Sequence, residues 1–208
     1  MPGAWALPGD PERVRRPANP ASVDVEAGLF TLPNLITFAR LCAVPAAVWL
    51  ILQHRLDIAF LVFVGAGISD AVDGWIARAW NARSALGALL DPVADKALLV
   101  SVYVTLAAIN ALPDWLAILV VFRDLLIVGG VILLWVLGVP ARIKPLMISK
   151  ANTFAQIALA ALALLLKGFD LSAPLLLDVM IWLVACTTFA SGLAYVLQAA
   201  RLTGEGAP

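Results

Sequence analysis

Four aspartates, Asp70, Asp73, Asp91 and Asp95, fall within the run SDAVDGWIARAWNARSALGALLDPVADK from Ser69 to Lys96. Asp70 and Asp73 are three apart, and Asp91 and Asp95 are four apart, so each pair shares a helix face. A short polar link through Asn81, Arg83 and Ser84 is expected to fold the two helices into antiparallel neighbours. Four carboxylates then meet at one end. Like charges this close oppose one another's ionisation unless a cation separates them. Carboxylate oxygens are hard ligands, and neither His nor Cys lies nearby, so the set selects Mg²⁺, Mn²⁺ or Ca²⁺ over zinc. One or two ions suit it. A pair would clamp both the attacking and the leaving oxygen of a phosphoryl transfer. The same spacing also allows a structural salt-bridge cluster with Arg78, Arg83 and Lys96, or an ion-translocation path. Gly74 and Gly87, beside the carboxylates, let a backbone or ligand approach closely.

The elements that must position these residues are membrane helices. Of 208 residues, 62% are apolar and 13% charged, where a soluble domain is nearer a quarter charged. The apolar residues gather into runs of the length that crosses a hydrocarbon core. Six spans are expected, giving an all-α bundle of six transmembrane helices. They run from about Leu35 to Leu52, Ile58 to Trp80, Leu86 to Asn110, Trp115 to Leu137, Ile148 to Leu166 and Leu175 to Ala200. An aspartate at the bilayer centre costs about 2.5–3.5 kcal/mol on insertion scales, so the four must serve something.

Basic residues favour one set of links. Arg13, Arg15, Arg16, Arg78, Arg83, Arg142, Lys144, Lys150 and Arg201 fall on one side, against Arg55 and Lys167 on the other. The positive-inside rule puts both termini and the aspartate end in the cytoplasm. Formal net charge is zero, which argues against a nucleic-acid partner. Residues 1–28 hold five prolines, four acids and three arginines. They read as a disordered cytoplasmic tail, with the first span acting as insertion signal, and 203–208 as a flexible C-terminus. A poor match to a transit peptide favours a bacterial inner membrane over a mitochondrial one. Cys42 and Cys186 are expected as small core residues, and His54 sits in a link far from the aspartates. Trp49, Trp80, Trp115 and Trp182 mark span ends.

The string D-x-x-D-G-x-x-A-R, eight residues, then G-x-x-x-D-x-x-x-D is present without departure as Asp70, Asp73, Gly74, Ala77, Arg78, Gly87, Asp91 and Asp95. It resembles the signature of the CDP-alcohol phosphatidyltransferases, and the resemblance extends from PNLITFAR at Pro33 to the sixth span. The resemblance implies a six-helix, commonly dimeric fold over residues 29–202 that displaces CMP from a CDP-linked donor. It implies Asp70, Asp73, Asp91 and Asp95 as ligands for Mg²⁺ or Mn²⁺, with Asp95 also the general base. It implies Asp73, Gly74, Arg78, Ser84 and Gly87 around the cytidine diphosphate. That suits the residues, since an anionic pyrophosphate needs cations to neutralise developing charge and the acceptor hydroxyl needs a base.

Within that family ALGALLDPVADK, VVFRDLLIVGG and ARIKPLMISKANTFAQ are similar to members that join CDP-diacylglycerol to phosphatidylglycerol to make cardiolipin. Members that use glycerol 3-phosphate are the alternative. Arg123, Arg142, Lys144 and Lys150 are then expected to hold the acceptor headgroup. Arg123 and Asp124, inside an apolar span, should face the interior and pair. Asn34 and Thr37, with Arg40 one turn on, match the family's PNxxTxxR opening and are expected to line the cavity. Asn34 is equally placed to cap its helix.

Overall fold

The computed structural model describes residues 32–80, 85–136 and 147–204, except the side chains of 32–37, 70–80, 85–93, 131, 133–135, 199 and 201–204. The expected tail at 1–28 and residues 205–208 of the C-terminus expected as flexible lie outside the described residues, while 203 and 204 fall in the last helix. Among the described residues there are six helices and no strand. They are α1 (Leu32–Leu52), α2 (Leu56–Trp80), α3 (Ala85–Ala108), α4 (Asp114–Val136), α5 (Met147–Gly168) and α6 (Pro174–Gly204). Each coincides with one expected span to within a few residues. Among the described residues two, Met147–Gly168 and Pro174–Gln198, are long and apolar enough to cross a membrane, and Phe38–Leu52 and Leu56–Ser69 are shorter apolar stretches.

The ends of α1, α3 and α5 share one stop. His54, Asn110 and Asp170 adopt left-handed φ values of 57°, 57° and 51°. The following amides of Arg55, Ala111 and Leu171 donate back to the carbonyls of Leu50, Leu106 and Leu166 at 2.8–2.9 Å. This wrapped cap satisfies carbonyls that a helix end leaves open. It turns the chain within a few residues, so α1 and α2, α3 and α4, and α5 and α6 run antiparallel.

Among the described residues the helices form a closed ring in the order α1, α3, α4, α6, α5, α2, with α3 also touching α5 across the middle. Among the described residues both aspartate-bearing helices pack on α1. The ends of α2 and α3 that are expected to meet, with side chains 70–80 and 85–93, lie outside the described residues. Tyr103 fixes the crossing of the ring. It is fully buried on α3 and its hydroxyl donates to the Gln156 carbonyl on α5 at 2.9 Å. The crossing divides the interior into one compartment bounded by α1, α2, α3 and α5 and another bounded by α3, α4, α5 and α6.

The apolar core sits towards the capped ends of α1, α3 and α5. It contains Ile51, Ala59, Val102, Leu106, Leu116, Leu159, Leu164 and Val184, all buried. There Gly168 meets the start of α2. A Cβ on it would stand 2.5 Å from the Asp57 amide nitrogen and 2.7 Å from the Leu56 carbonyl carbon. Phe60 and Phe169 pack edge to face beside this contact. The outer surface is apolar too, with Trp49, Leu61, Ile118, Phe122, Leu125, Leu175, Trp182 and Phe189 exposed. Cys42 and Cys186, expected in the core, are free thiols on this outer surface. Both lie in apolar runs, and apolar residues here face outward as well as inward, so an apolar run does not by itself put a residue in the core.

Candidate active site

Asp95 projects from α3 one turn after Asp91. Its Oδ1 accepts a hydrogen bond from Arg40 Nη1 on α1 at 2.8 Å. The Arg40 side chain is 3% exposed and that of Asp95 is 45% exposed. A buried guanidinium needs such a carboxylate partner, since an uncompensated charge away from water is costly. Arg40 reaches Asp95 because α1 packs along α3. The pair stands at the polar end of a cleft of about 500 Å³. The cleft occupies the first compartment, and Phe63, Gly67, Leu98, Leu99, Ile157 and Ala161 are among its lining residues.

The second compartment holds a chain of charge. Lys96 Nζ donates to both oxygens of Asp124 on α4, each at 2.9 Å. Asp124 Oδ1 also accepts from Arg123 Nη1 at 2.7 Å. Arg123 Nη2 donates to Ser149 Oγ on α5 and, at 2.7 Å, to Ser191 Oγ on α6. Its guanidinium carbon lies 5.9 Å from the Tyr195 ring centre, within cation–π range. One carboxylate thus serves two cations, and four helices are tied through Arg123, Asp124 and Lys96.

Below this, Asn152 and Gln156 on α5 meet Thr187 and Thr188 on α6. Asn152 Oδ1 accepts from both threonine hydroxyls at 2.9 Å, and Gln156 Nε2 donates to Thr188 Oγ1 at 3.2 Å. Asn152, Gln156 and Thr188 are fully buried. Interhelical amide and hydroxyl pairs of this kind bind helices where no water competes.

The pairing of Arg123 with Asp124 is as expected, and it faces the interior. Arg123, expected at the acceptor headgroup, is 4% exposed. Its Nη1 and Nη2 donate to protein groups, and its Nε is buried without a hydrogen-bond partner among the described residues. Lys150 is exposed at the start of α5, beside Ser149 and Thr153. Asp70, Asp73, Gly74, Arg78, Gly87 and Asp91 fall on the helical backbone of α2 and α3, but their side chains lie outside the described residues. So do the side chains of Asn34 and Thr37, and the whole of Ser84, Arg142 and Lys144. Among the described residues no three His, Cys, Asp or Glu side chains gather.

Ser149, Ser191, Tyr195 and the Asn152–Gln156 pair were not among the expected site residues. A signal existed for the last two. They are polar, four apart and inside an apolar run, which places both on one helix face. Ser191 and Tyr195, also four apart in an apolar run, carry the same signal, but only the packing of α6 on α4 gives them Arg123 as neighbour.

Residues 30–191 match the CDP-alcohol phosphatidyltransferase family. Among curated proteins, the chain is 35% identical over 182 residues to a human cardiolipin synthase (CMP-forming), covering 80% of this chain and 60% of that protein. It is 34% identical over 196 residues to a fission-yeast cardiolipin synthase (CMP-forming)/mitochondrial hydrolase fusion protein, covering 87% of this chain and 33% of the relative. A rice chloroplastic CDP-diacylglycerol–glycerol-3-phosphate 3-phosphatidyltransferase is 35% identical over 216 residues, covering 94% of this chain and 66% of the relative. The chain therefore spans between one third and two thirds of the length of these relatives.

Proposed function

We infer, from the chain's belonging to the CDP-alcohol phosphatidyltransferase family, that it is a membrane-integral, metal-dependent cardiolipin synthase. It transfers the phosphatidyl group of CDP-diacylglycerol to phosphatidylglycerol and releases CMP. The observation that carries the reading is the unbroken signature from Asp70 to Asp95, lying inside the matched residues 30–191. The choice of acceptor is supported by cardiolipin synthases among the relatives. The rice relative supports the second reading, glycerol 3-phosphate as acceptor.

In this reading the acceptor oxygen attacks the phosphorus that carries diacylglycerol. A new P–O bond forms as the bond to CMP breaks, and the hydroxyl proton passes to the Asp95 carboxylate. Arg40 holds that carboxylate in position. Asp73, Gly74, Arg78, Ser84 and Gly87 hold the cytidine diphosphate, and Arg142, Lys144 and Lys150 attract the anionic headgroup. Asp70, Asp73, Asp91 and Asp95 would hold one or two divalent ions. The donor set fits a hard ion. Asp95 supplies carboxylate oxygen, and the one histidine, His54, caps the opposite end of α1, about 21 Å along the helix from Arg40. Bound Mg²⁺ or Mn²⁺ supplies charge neutralisation for the pyrophosphate. We further propose that all six helices cross the membrane as a homodimer, with the aspartate end cytoplasmic in a bacterial inner membrane.

The test is CMP release and product identification with purified protein, CDP-diacylglycerol and each acceptor separately. Cardiolipin from phosphatidylglycerol is the expected product. Product from glycerol 3-phosphate, with none from phosphatidylglycerol, would replace this reading with the second.

A further inference from the structure

Alpha helices α2 and α5 touch tightly at one end and part at the other. At the capped end the backbone of Leu56 and Asp57 lies against Gly168, with no room for a methyl group. Towards the Asp95 end, a Cβ added at Gly67 would meet nothing within 4 Å. Between these points the 500 Å³ cleft is open. Its α5 wall runs from Thr153 to Ala161, about 12 Å along the helix. Its floor is Phe63, Leu98 and Leu99, all buried. Its rim carries Ile68, Phe154 and Ile157, which are 59%, 76% and 44% exposed. Among its described lining residues the slot is apolar apart from Thr153, Arg40 and Asp95, and it is open sideways between α2 and α5.

We propose that this slot holds an acyl chain of the acceptor phospholipid, admitted laterally from the bilayer between α2 and α5. The inference rests on the assignment of Asp95 as the base for the acceptor hydroxyl. A base acts within hydrogen-bond reach of the proton it takes, so the acceptor's polar end must stand at the charged end of the slot. A small water-soluble acceptor would leave the apolar length beside Asp95 without use. A phospholipid acceptor covers it, and its chain gains burial against Phe63, Leu98, Leu99 and Ala161. The splay of the two helices supplies the entrance, because a two-chain lipid cannot enter along the bundle axis past the packed core at the capped end.

The test fills the slot. Gly67→Leu and Ala161→Leu, each in the full chain, are assayed for CMP release with dioleoyl phosphatidylglycerol. The expected result is a rise in its KM of about tenfold, which is what denying burial to two methylenes is worth. The KM for CDP-diacylglycerol should move far less, which also reports that the variants are folded. A second measurement uses the unaltered protein and phosphatidylglycerol carrying a diazirine on one acyl chain. Crosslinks are expected within residues 63–68, 98–99 and 153–161. A risen KM for CDP-diacylglycerol with an unchanged KM for phosphatidylglycerol would give the slot to the donor and overturn the proposal. So would diazirine crosslinks confined to residues outside the slot. If the unaltered protein releases no CMP with phosphatidylglycerol, the proposed function itself has failed and the slot assignment falls with it. If it uses phosphatidylglycerol but both variants keep the original KM, only the slot assignment fails.

Discussion

Arg40 Nη1 and Asp95 Oδ1 lie 2.8 Å apart, joining α1 to α3 across 55 positions of sequence. Arg40 is buried while Asp95 is half exposed, so the arginine serves as the fixed partner and the carboxylate as the group presented to the cleft. Arg40→Met is expected to lower kcat about 100-fold, the effect of misplacing a reacting group by about 1 Å. The KM for CDP-diacylglycerol should change little, and Arg40→Lys should recover part of the rate. Steady-state CMP release measures this. An unchanged kcat in Arg40→Met would remove the positioning role.

Asp95→Asn keeps the shape and a hydrogen-bond acceptor for Arg40 but cannot take a proton. Turnover is expected to fall about 10²–10⁴-fold, the worth of a general base. Binding of a CDP-lipid, followed by equilibrium titration, should persist. Full activity in this variant would remove Asp95 as the base.

Chelation should abolish CMP release, and Mg²⁺ or Mn²⁺ should restore it on add-back, because the signature offers only carboxylate oxygens. Zn²⁺ is expected to restore less. Undiminished turnover in metal-free membranes would overturn the role given to Asp70, Asp73 and Asp91.

Asp124 compensates two cations, Arg123 and Lys96. Removing one partner of a buried pair costs about 3–5 kcal/mol, so Asp124→Ala should strongly lower the unfolding stability of the protein in detergent. Arg123→Met in the same chain should recover part of the loss by removing the uncompensated charge. If the double variant is no more stable than Asp124→Ala alone, the buried arginine is not what Asp124 compensates.

Gly168→Ala should destabilise by about 1–3 kcal/mol, the usual cost of overpacking, because its Cβ would fall on the backbone of Leu56 and Asp57. Gly129→Ala on α4 is the control. Nothing lies within 4 Å of a Cβ there, and alanine favours the helix over glycine by about 0.5–1 kcal/mol. Denaturation curves that ranked the two variants the other way round would contradict the packing at the α2–α5 contact.

Local pattern made much of this protein legible in its sequence. The apolar runs from about Leu35 to Leu52, Ile58 to Trp80, Leu86 to Asn110, Trp115 to Leu137, Ile148 to Leu166 and Leu175 to Ala200 predicted six helices, and the structure sets their ends within a few residues of those limits. Apolar length and turn chemistry are properties of neighbouring residues, so no partner is needed to read them. The aspartate signature was legible for the same reason. Its positions lie on two consecutive helices at helical spacing, and the chemistry follows from the oxygen donors themselves.

Which helices touch was not legible. No local pattern says that α1 packs on both α2 and α3, as it does among the described residues. The burial of Arg123, the sharing of Asp124 by Lys96, and the arrival of Ser149 and Ser191 at the guanidinium all depend on that ring order. So does the outward placement of Cys42 and Cys186, since an apolar helix carries no polar face to say which side turns inward. The sequence by itself determined the helices and the carboxylate chemistry. The tertiary structure decided which charge is fixed and which is offered, because packing between helices distant in sequence sets the burial of Arg40, Arg123 and Asp95.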